Sequence, residues 1–216
     1  MIDYLLLIEG ITKYFGRRLV FNDINCSFSS GNIYGISGPN GSGKSTLVKI
    51  IANLISTTRG KVIHKLDNKI VEPEKLHNHI GFVSPYLFLY DEFTAEENLV
   101  HISNIRGGIK FDKQRSDFLF EQFGLFDRRN DVLRGYSSGM KQRFKFIFAL
   151  LHEPQLLILD EPTSNLDNDG KDMVYKLIEN EEKNNLILIA SNEDSDIQLC
   201  KQTLNLAEFK NLRGSL

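Results

Sequence analysis

Two periodicities alternate along the chain. Residues 5–34 carry short β-prone runs, Leu5–Ile8, Leu19–Phe21 and Ile24–Phe28, separated by polar turns, and predict a small antiparallel sheet. Ile33–Ser37 is a brief apolar strand that runs straight into a glycine-rich stretch. Beyond it, Leu47, Ile50, Ile51 and Leu54 recur at the spacing of one helix face. Gly81–Val83 closes a further strand. From Pro85 to about Gly135 the character changes to aromatic residues, acidic helix starts and no convincing strand, which predicts a mostly helical lobe. Phe144, Ile147, Phe148 and Leu151 form another helical stripe. Leu156–Leu159 and Leu186–Ala190 are continuous apolar runs, as parallel strands buried on both faces require. Between them a helix carries Met173, Val174, Leu177 and Ile178. Strands alternating with helices imply a parallel sheet with crossover connections. No internal repeat, low-complexity tract or long linker interrupts this order.

Composition narrows the picture. At 216 residues the chain suits one compact domain, or one domain with an inserted lobe. Its 41% hydrophobic and 25% charged residues are those of an ordinary soluble protein. The net charge of −2 gives no reason to expect a nucleic-acid partner. Nothing approaches the roughly 20 consecutive apolar residues of a membrane span. The opening MIDYLLLIEG holds a short apolar patch with no basic segment before it, and reads as a strand rather than a signal peptide. Cys26 and Cys200 belong to no paired motif and read as reduced apolar fillers, which fits a cytoplasmic protein.

Gly38-Pro39-Asn40-Gly41-Ser42-Gly43-Lys44-Ser45 fits the phosphate-loop pattern G-x-x-x-x-G-K-[ST]. Glycines let the backbone wrap a phosphate with its N–H groups pointing inward. The helix beginning near Ser45 adds its positive end. Lys44 is placed to reach the β- and γ-phosphates and Ser45 to ligate Mg²⁺. Asp160 and Glu161 end a buried strand, where open α/β sheets put their ligand sites. There an Asp can hold Mg²⁺ through its water shell, and a Glu beside it can orient or deprotonate an attacking water. Taken alone, the acidic pair could equally be a strand ending at the surface.

Tyr136-Ser137-Ser138-Gly139-Met140-Lys141-Gln142-Arg143 resembles the signature of ATP-binding cassette proteins, and Pro162-Thr163-Ser164-Asn165-Leu166-Asp167 resembles their D-loop. The order of phosphate loop, signature and acidic strand is also the family's. The resemblance covers the chain from Leu5 to about Leu206. It implies an α/β fold, a P-loop NTPase parallel-sheet core with an N-terminal antiparallel β subdomain and an inserted helical subdomain. Residues 1–84 and 141–216 would form the nucleotide-binding core, and residues 85–140 the helical subdomain with the signature at its end.

The resemblance also implies an ATPase with ATP and Mg²⁺ as cofactors. Its ATP site would comprise Gly38, Pro39, Asn40, Gly41, Ser42, Gly43, Lys44, Ser45 and Thr46, with Ser45 and Asp160 for the metal and Glu161 as general base. In Lys13-Tyr14-Phe15-Gly16, Phe15 takes the family's adenine-stacking place, with Tyr14 and simple core packing as alternatives. Ser137, Ser138 and Gly139 precede a helix and can present an anion site, although the same residues suit an ordinary helix cap. The resemblance implies that this site faces the ATP of a second subunit packed head to tail, and it makes Asp167 part of the D-loop. The partners implied are a second cassette, as a homodimer, and a separate transmembrane permease holding the chain on the inner face of the cell membrane. Among compact transport cassettes, the haem-exporter type of cytochrome c maturation is a loose likeness.

Two family side chains are missing. A Gln usually follows the strand that leads into the lobe, and here Pro85 stands there. Proline offers neither an amide side chain nor a backbone N–H. A His usually follows the last core strand, and here it is Asn192, which can hydrogen-bond a γ-phosphate but carries no proton or positive charge. Hydrolysis is therefore expected to persist at a reduced rate, with Glu161, Lys44 and Asn192 as its catalytic groups. Tyr86, Leu87, Phe88, Leu89, Tyr90 and Phe93 make an aromatic segment that either lines the permease-docking groove or packs into the lobe.

Overall fold

The computed structural model describes residues 3–106 and 111–210. The expected positions at the chain ends and at 107–110 within the lobe lie outside the described residues.

Two sheets organise the fold. Strands β1 (Tyr4–Phe15), β2 (Arg18–Ser29), β4 (Arg59–Leu66) and β5 (Lys69–Ile70) form an antiparallel sheet in the order β2-β1-β4-β5. The second sheet contains β3 (Asn32–Ser37), β6 (Ile80–Val83), β7 (Leu156–Asp160), β8 (Leu186–Ala190) and β9 (Gln202–Asn205). Its strands are all parallel, in the order β6-β7-β8-β3-β9. The sequence pattern anticipated both sheets but not β4, β5 or β9.

The unbroken apolar runs of β7 and β8 follow from burial on both faces. Leu157, Leu159, Ile187 and Ile189 point into one core, and Leu156, Ile158, Leu186 and Leu188 into the other. That is the period of two expected of a pleated strand. The second of these cores also takes Leu47, Val48, Ile50 and Ile51 of helix α1 (Lys44–Ile51) and the inner face of the antiparallel sheet. Leu54, expected on the same helix face, lies beyond the helix. The chain turns out at Asn53 (φ 58°), leaving Leu54 60% exposed.

Helices α2 (Ala95–Ile105), α3 (Lys113–Gln122) and α4 (Ser138–Leu150) pack on the first core. The expected stripe of Phe144, Ile147 and Phe148 lies on α4, with Leu151 at its C-cap. Helix α2 starts with a capping box, Thr94 Oγ1 accepting from the Glu97 N–H and the Glu97 carboxylate from the Thr94 N–H, a device that stabilises a helix start by about 1 kcal/mol. Helices α5 (Asn168–Glu182) and the short α6 (Asp194–Gln198) flank β8. Among the described residues, the segment between Pro85 and Gly135 has only one isolated strand-like pairing, Thr94 with Val132.

Register fixes where the chemistry gathers. Ala190 pairs with Ile36 on one side and Asp160 on the other, and Leu159 pairs with Val83. The carboxyl ends of four parallel strands therefore stop at one level, bringing the glycine loop after β3, Ser84 after β6, the Asp160–Glu161 pair and Asn192 after β8 to the same sheet edge.

Candidate functional site

The glycine loop occupies this edge because only glycine tolerates its course. Gly43, at the N-cap of α1, has φ 108°, and a Cβ there would stand 2.5 Å from Val20 Cγ1. Gly38 has φ 140°, and its Cβ would meet Ser42 Oγ at 2.8 Å. The first helical bond of α1 runs from the Leu47 N–H to Gly43 O, so the amides of Lys44, Ser45 and Thr46 have no acceptor within the helix. They point toward an anion site at a helix N-terminus.

Lys44 is 6% exposed, and its ammonium donates to Gly38 O and to Asn192 Oδ1, both at 2.9 Å. Glu161 Oε1 lies 4.0 Å from it. Burial lowers the Lys44 pKa from its ordinary range, while the carboxylates of Glu161 and Asp160 oppose that shift. Burial raises the pKa of Glu161, with Asp160, Asp196 and Glu193 adding to the rise and Lys44 opposing it. A carboxyl held above its usual range is a better proton acceptor than an exposed one.

Asn192 Nδ2 donates to Asn40 Oδ1 at 2.7 Å, closing a chain from Lys44 through Asn192 to the loop. Ser45 Oγ donates to Asp160 Oδ1 at 3.0 Å, and Ser84 Oγ to Asp160 Oδ2 at 3.3 Å. Burial raises the Asp160 pKa against these two hydroxyls and the charges of Lys49 and Lys44.

Among the described residues, no three His, Cys, Asp or Glu side chains gather as a metal cage. The Ser45 hydroxyl beside the Asp160 carboxylate is instead a small set of hard oxygen donors. It suits Mg²⁺, which keeps several waters and takes its other ligands from substrate phosphates.

The cavity at this edge measures about 710 Å³ and is lined by Phe15, Lys44, Pro85, Glu161 and Asn192 among others. Phe15 is 53% exposed at the end of β1, with the Lys13 ammonium 4.8 Å from its ring centroid. Tyr14 does not line the cavity, whereas Phe15 and Tyr86 both do, so each offers it an aromatic face. Ser137, Ser138, Gly139 and Asp167 lie outside the lining. Ser137 Oγ caps α4 by accepting from the Met140 N–H at 3.1 Å, while Ser138 is exposed and part of no such bond. Asp167 caps α5 through the Gly170 N–H at 2.9 Å. The two candidate halves of an ATP site are thus separate within one chain.

Three neighbours of the site carry no motif. Arg18 on β2 lines the cavity. Ser84 precedes the proline and reaches Asp160. Lys145, 8% exposed on α4, donates to Ser84 O and Pro85 O at 2.9 Å, tying the helix that starts at the signature to the segment beside the metal donors. The aromatic segment is external: Tyr86, Phe88, Tyr90 and Phe93 are exposed, Phe88 at 93%. Packing into the lobe is left to Leu89, which is partly buried.

A family model described as ABC transporter matches residues 21–164. An uncharacterized ABC transporter ATP-binding protein of Bacillus subtilis is 37% identical over 84% of this chain and 59% of its own length. The bacitracin transport ATP-binding protein of Enterococcus faecalis is 34% identical over 92% of this chain and 64% of its own length. The chain thus spans about three fifths of these two curated relatives. The lantibiotic transport ATP-binding protein of Streptococcus pyogenes, at 31% identity, is matched over 95% of this chain and 85% of its own. Among solved structures, an ATP-binding subunit of an ABC transporter superposes with TM-score 0.81 at 24% identity, over 93% of this chain and 85% of that one. A dimeric cassette in a post-hydrolysis state with ADP and phosphate gives TM-score 0.80 at 22% identity, over 93% of each chain. At these identities the two structures speak for the fold.

Proposed function

The chain belongs to the ABC transporter family, and on that premise we propose that it binds Mg-ATP and hydrolyses it to power a separate transmembrane partner. The observation that carries the reading is the convergence of Lys44, Glu161 and Asn192 with the Ser45–Asp160 pair at one end of the parallel sheet.

In this reading the loop Gly38, Pro39, Asn40, Gly41, Ser42, Gly43 and the free amides of Lys44, Ser45 and Thr46 hold the phosphates. The Lys44 ammonium neutralises developing negative charge. Phe15 stacks on the adenine, an interaction that needs only a π-face. Glu161 accepts a proton from the attacking water as that water approaches the γ-phosphorus. Asn192 donates its amide to a γ-phosphate oxygen. Ser45 and Asp160 would hold a Mg²⁺, which when bound would supply charge neutralisation at the phosphates.

A second copy of the chain, packed head to tail, would present Ser137, Ser138 and Gly139 to the same ATP, with Asp167 at the junction. Residues 85–140 act as the lobe that carries this signature, and residues 1–84 with 141–216 as the nucleotide-binding core. The exposed Tyr86, Phe88, Tyr90 and Phe93 support a membrane subunit docking on this lobe, which would place the chain on the cytoplasmic face of the membrane. Among the described residues no helix is long and apolar enough to cross a membrane itself. Nucleic acid is not among the partners proposed.

Steady-state ATP hydrolysis by the wild type and by Glu161→Gln, at equal chain concentration with Mg²⁺, tests the proposal. Wild-type turnover should exceed that of the variant by roughly 100-fold, as loss of a general base usually costs. Equal rates would leave an ATP-driven clamp in place of an ATPase.

A further inference from the structure

Behind the site lies a carboxylate with no place in the proposed reaction. Asp196 on α6 is 0% exposed and gathers three hydroxyl donors. Thr163 Oγ1 stands 3.1 and 3.2 Å from its two oxygens, Tyr175 Oη 2.8 Å from Oδ1, and Ser191 Oγ 2.6 Å from Oδ2. A carboxylate offers these hydroxyls two acceptor oxygens, and Tyr175 Oη stands also 2.9 Å from Ser195 Oγ. Charge-assisted bonds of this kind are about twice as strong as neutral ones. Ser191 Oγ then accepts from the Glu193 N–H at 3.0 Å.

The three donors come from distinct stretches of chain. Thr163 is two residues beyond Glu161, Ser191 immediately precedes Asn192, and Tyr175 lies on α5, behind the loop that ends at Asp167. Glu161 itself is strained: its φ is 52°, in the left-handed region that residues other than glycine rarely adopt and keep only when their surroundings over-determine them. On one side its N–H donates to Ala190 O at 2.8 Å. On the other, Thr163 is anchored to Asp196, which also anchors Ser191, the residue after Ala190.

We propose that Asp196 is the positioning residue of the hydrolytic site, a buried clamp that joins the chain after Glu161 to the chain before Asn192 and holds both side chains in reacting register. The proposal rests on the reading of Glu161 as general base. Asp196 touches no nucleotide and no proton passes through it; its charge also raises the Glu161 pKa, so Thr163→Val, which leaves that charge in place, isolates the geometric effect. Because α5 joins the same carboxylate, a shift of the loop Pro162–Asp167 on pairing of two chains would be felt at Glu161 through Thr163.

The test compares ATP turnover with ATP affinity, the latter measured by calorimetry. Asp196→Asn keeps the shape but leaves one acceptor oxygen for three donors, and Thr163→Val removes one donor at nearly constant volume. Each should lower kcat by roughly 10- to 100-fold, the scale of a small misplacement of catalytic groups. ATP dissociation constants should stay within about threefold, because the phosphate loop is untouched. Thr163→Ser, which restores the hydroxyl, should return to near the wild-type rate.

Wild-type kcat in Asp196→Asn or in Thr163→Val overturns the clamp, as does an equal loss of affinity and turnover. If Asp196→Asn fails to fold, the Val and Ser variants of Thr163 decide alone. Wild-type turnover no greater than that of Glu161→Gln removes the hydrolytic reading and the clamp with it. An active wild type with unaffected Asp196 and Thr163 variants removes only the clamp.

Discussion

The Lys44 ammonium sits 2.9 Å from Asn192 Oδ1 across 148 residues of chain, and the same asparagine donates to Asn40. One amide thus joins the end of β8 to the phosphate loop. Asn192→Ala removes an amide bonded to a charged group, a loss of about 1.5 kcal/mol, and kcat/KM for ATP should fall about tenfold. Asn192→Asp places a carboxylate beside the incoming phosphates and should cost more than the alanine. Steady-state kinetics on the two variants checks the order.

Ser45 and Asp160 face each other at 3.0 Å as hard oxygen donors. Ser45→Ala should leave ATP affinity in EDTA unchanged and weaken affinity in Mg²⁺ by roughly tenfold, about the worth of one hydrogen bond or ligand to a charged group. Calorimetric titrations with and without Mg²⁺ give the comparison. Equal losses in both conditions would take Ser45 out of the metal site.

Acid should destabilise the fold through two buried histidines. Burial depresses His64 to about 4, even though a backbone contact with Ile51 opposes it, and depresses His152 to about 3, helped by the Arg106 charge. Both folded values lie below the unfolded value, so the unfolded chain binds more protons as pH falls. Stability is therefore complete above about pH 6.5 and declines toward pH 4, by about 1.4 kcal/mol per pH unit for each histidine. Urea unfolding at pH 7 and pH 5 measures the slope. In His64→Gln it should shrink by about one proton.

Phe88 is 93% exposed in a segment that also exposes Tyr86, Tyr90 and Phe93, apolar surface of the kind that a partner covers. Phe88→Glu should leave ATP affinity intact and abolish co-purification with a membrane subunit, since a buried unpaired charge is costly. Retained co-purification would assign the patch another role.

Legibility in the sequence tracked periodicity. β7 and β8 showed as unbroken apolar runs because both faces are buried, and the phosphate loop showed because its glycines are required by backbone geometry. β4, with only Val62, Ile63 and Leu66 among polar residues, and β9, a four-residue strand at the sheet edge, carry too little pattern to announce themselves. Lys145 and Asp196 were illegible for the opposite reason. A charged residue reads as a solvent face, and only the fold shows that the carbonyls of Ser84 and Pro85 and the hydroxyls of Thr163, Tyr175 and Ser191 make burial tolerable. Phe15 was legible only as an aromatic in a suggestive place, because stacking needs no fixed sequence around it.

The separation of Ser137, Ser138 and Gly139 from the cavity at Lys44 makes pairing the centre of the account. Sedimentation of the Glu161→Gln chain with saturating Mg-ATP tests it most directly, because the variant holds ATP without consuming it. The account predicts a dimer containing two ATP molecules, reverting to monomer without nucleotide and in Ser138→Arg. A monomer at saturating ATP, or a dimer indifferent to both nucleotide and Ser138, would contradict it.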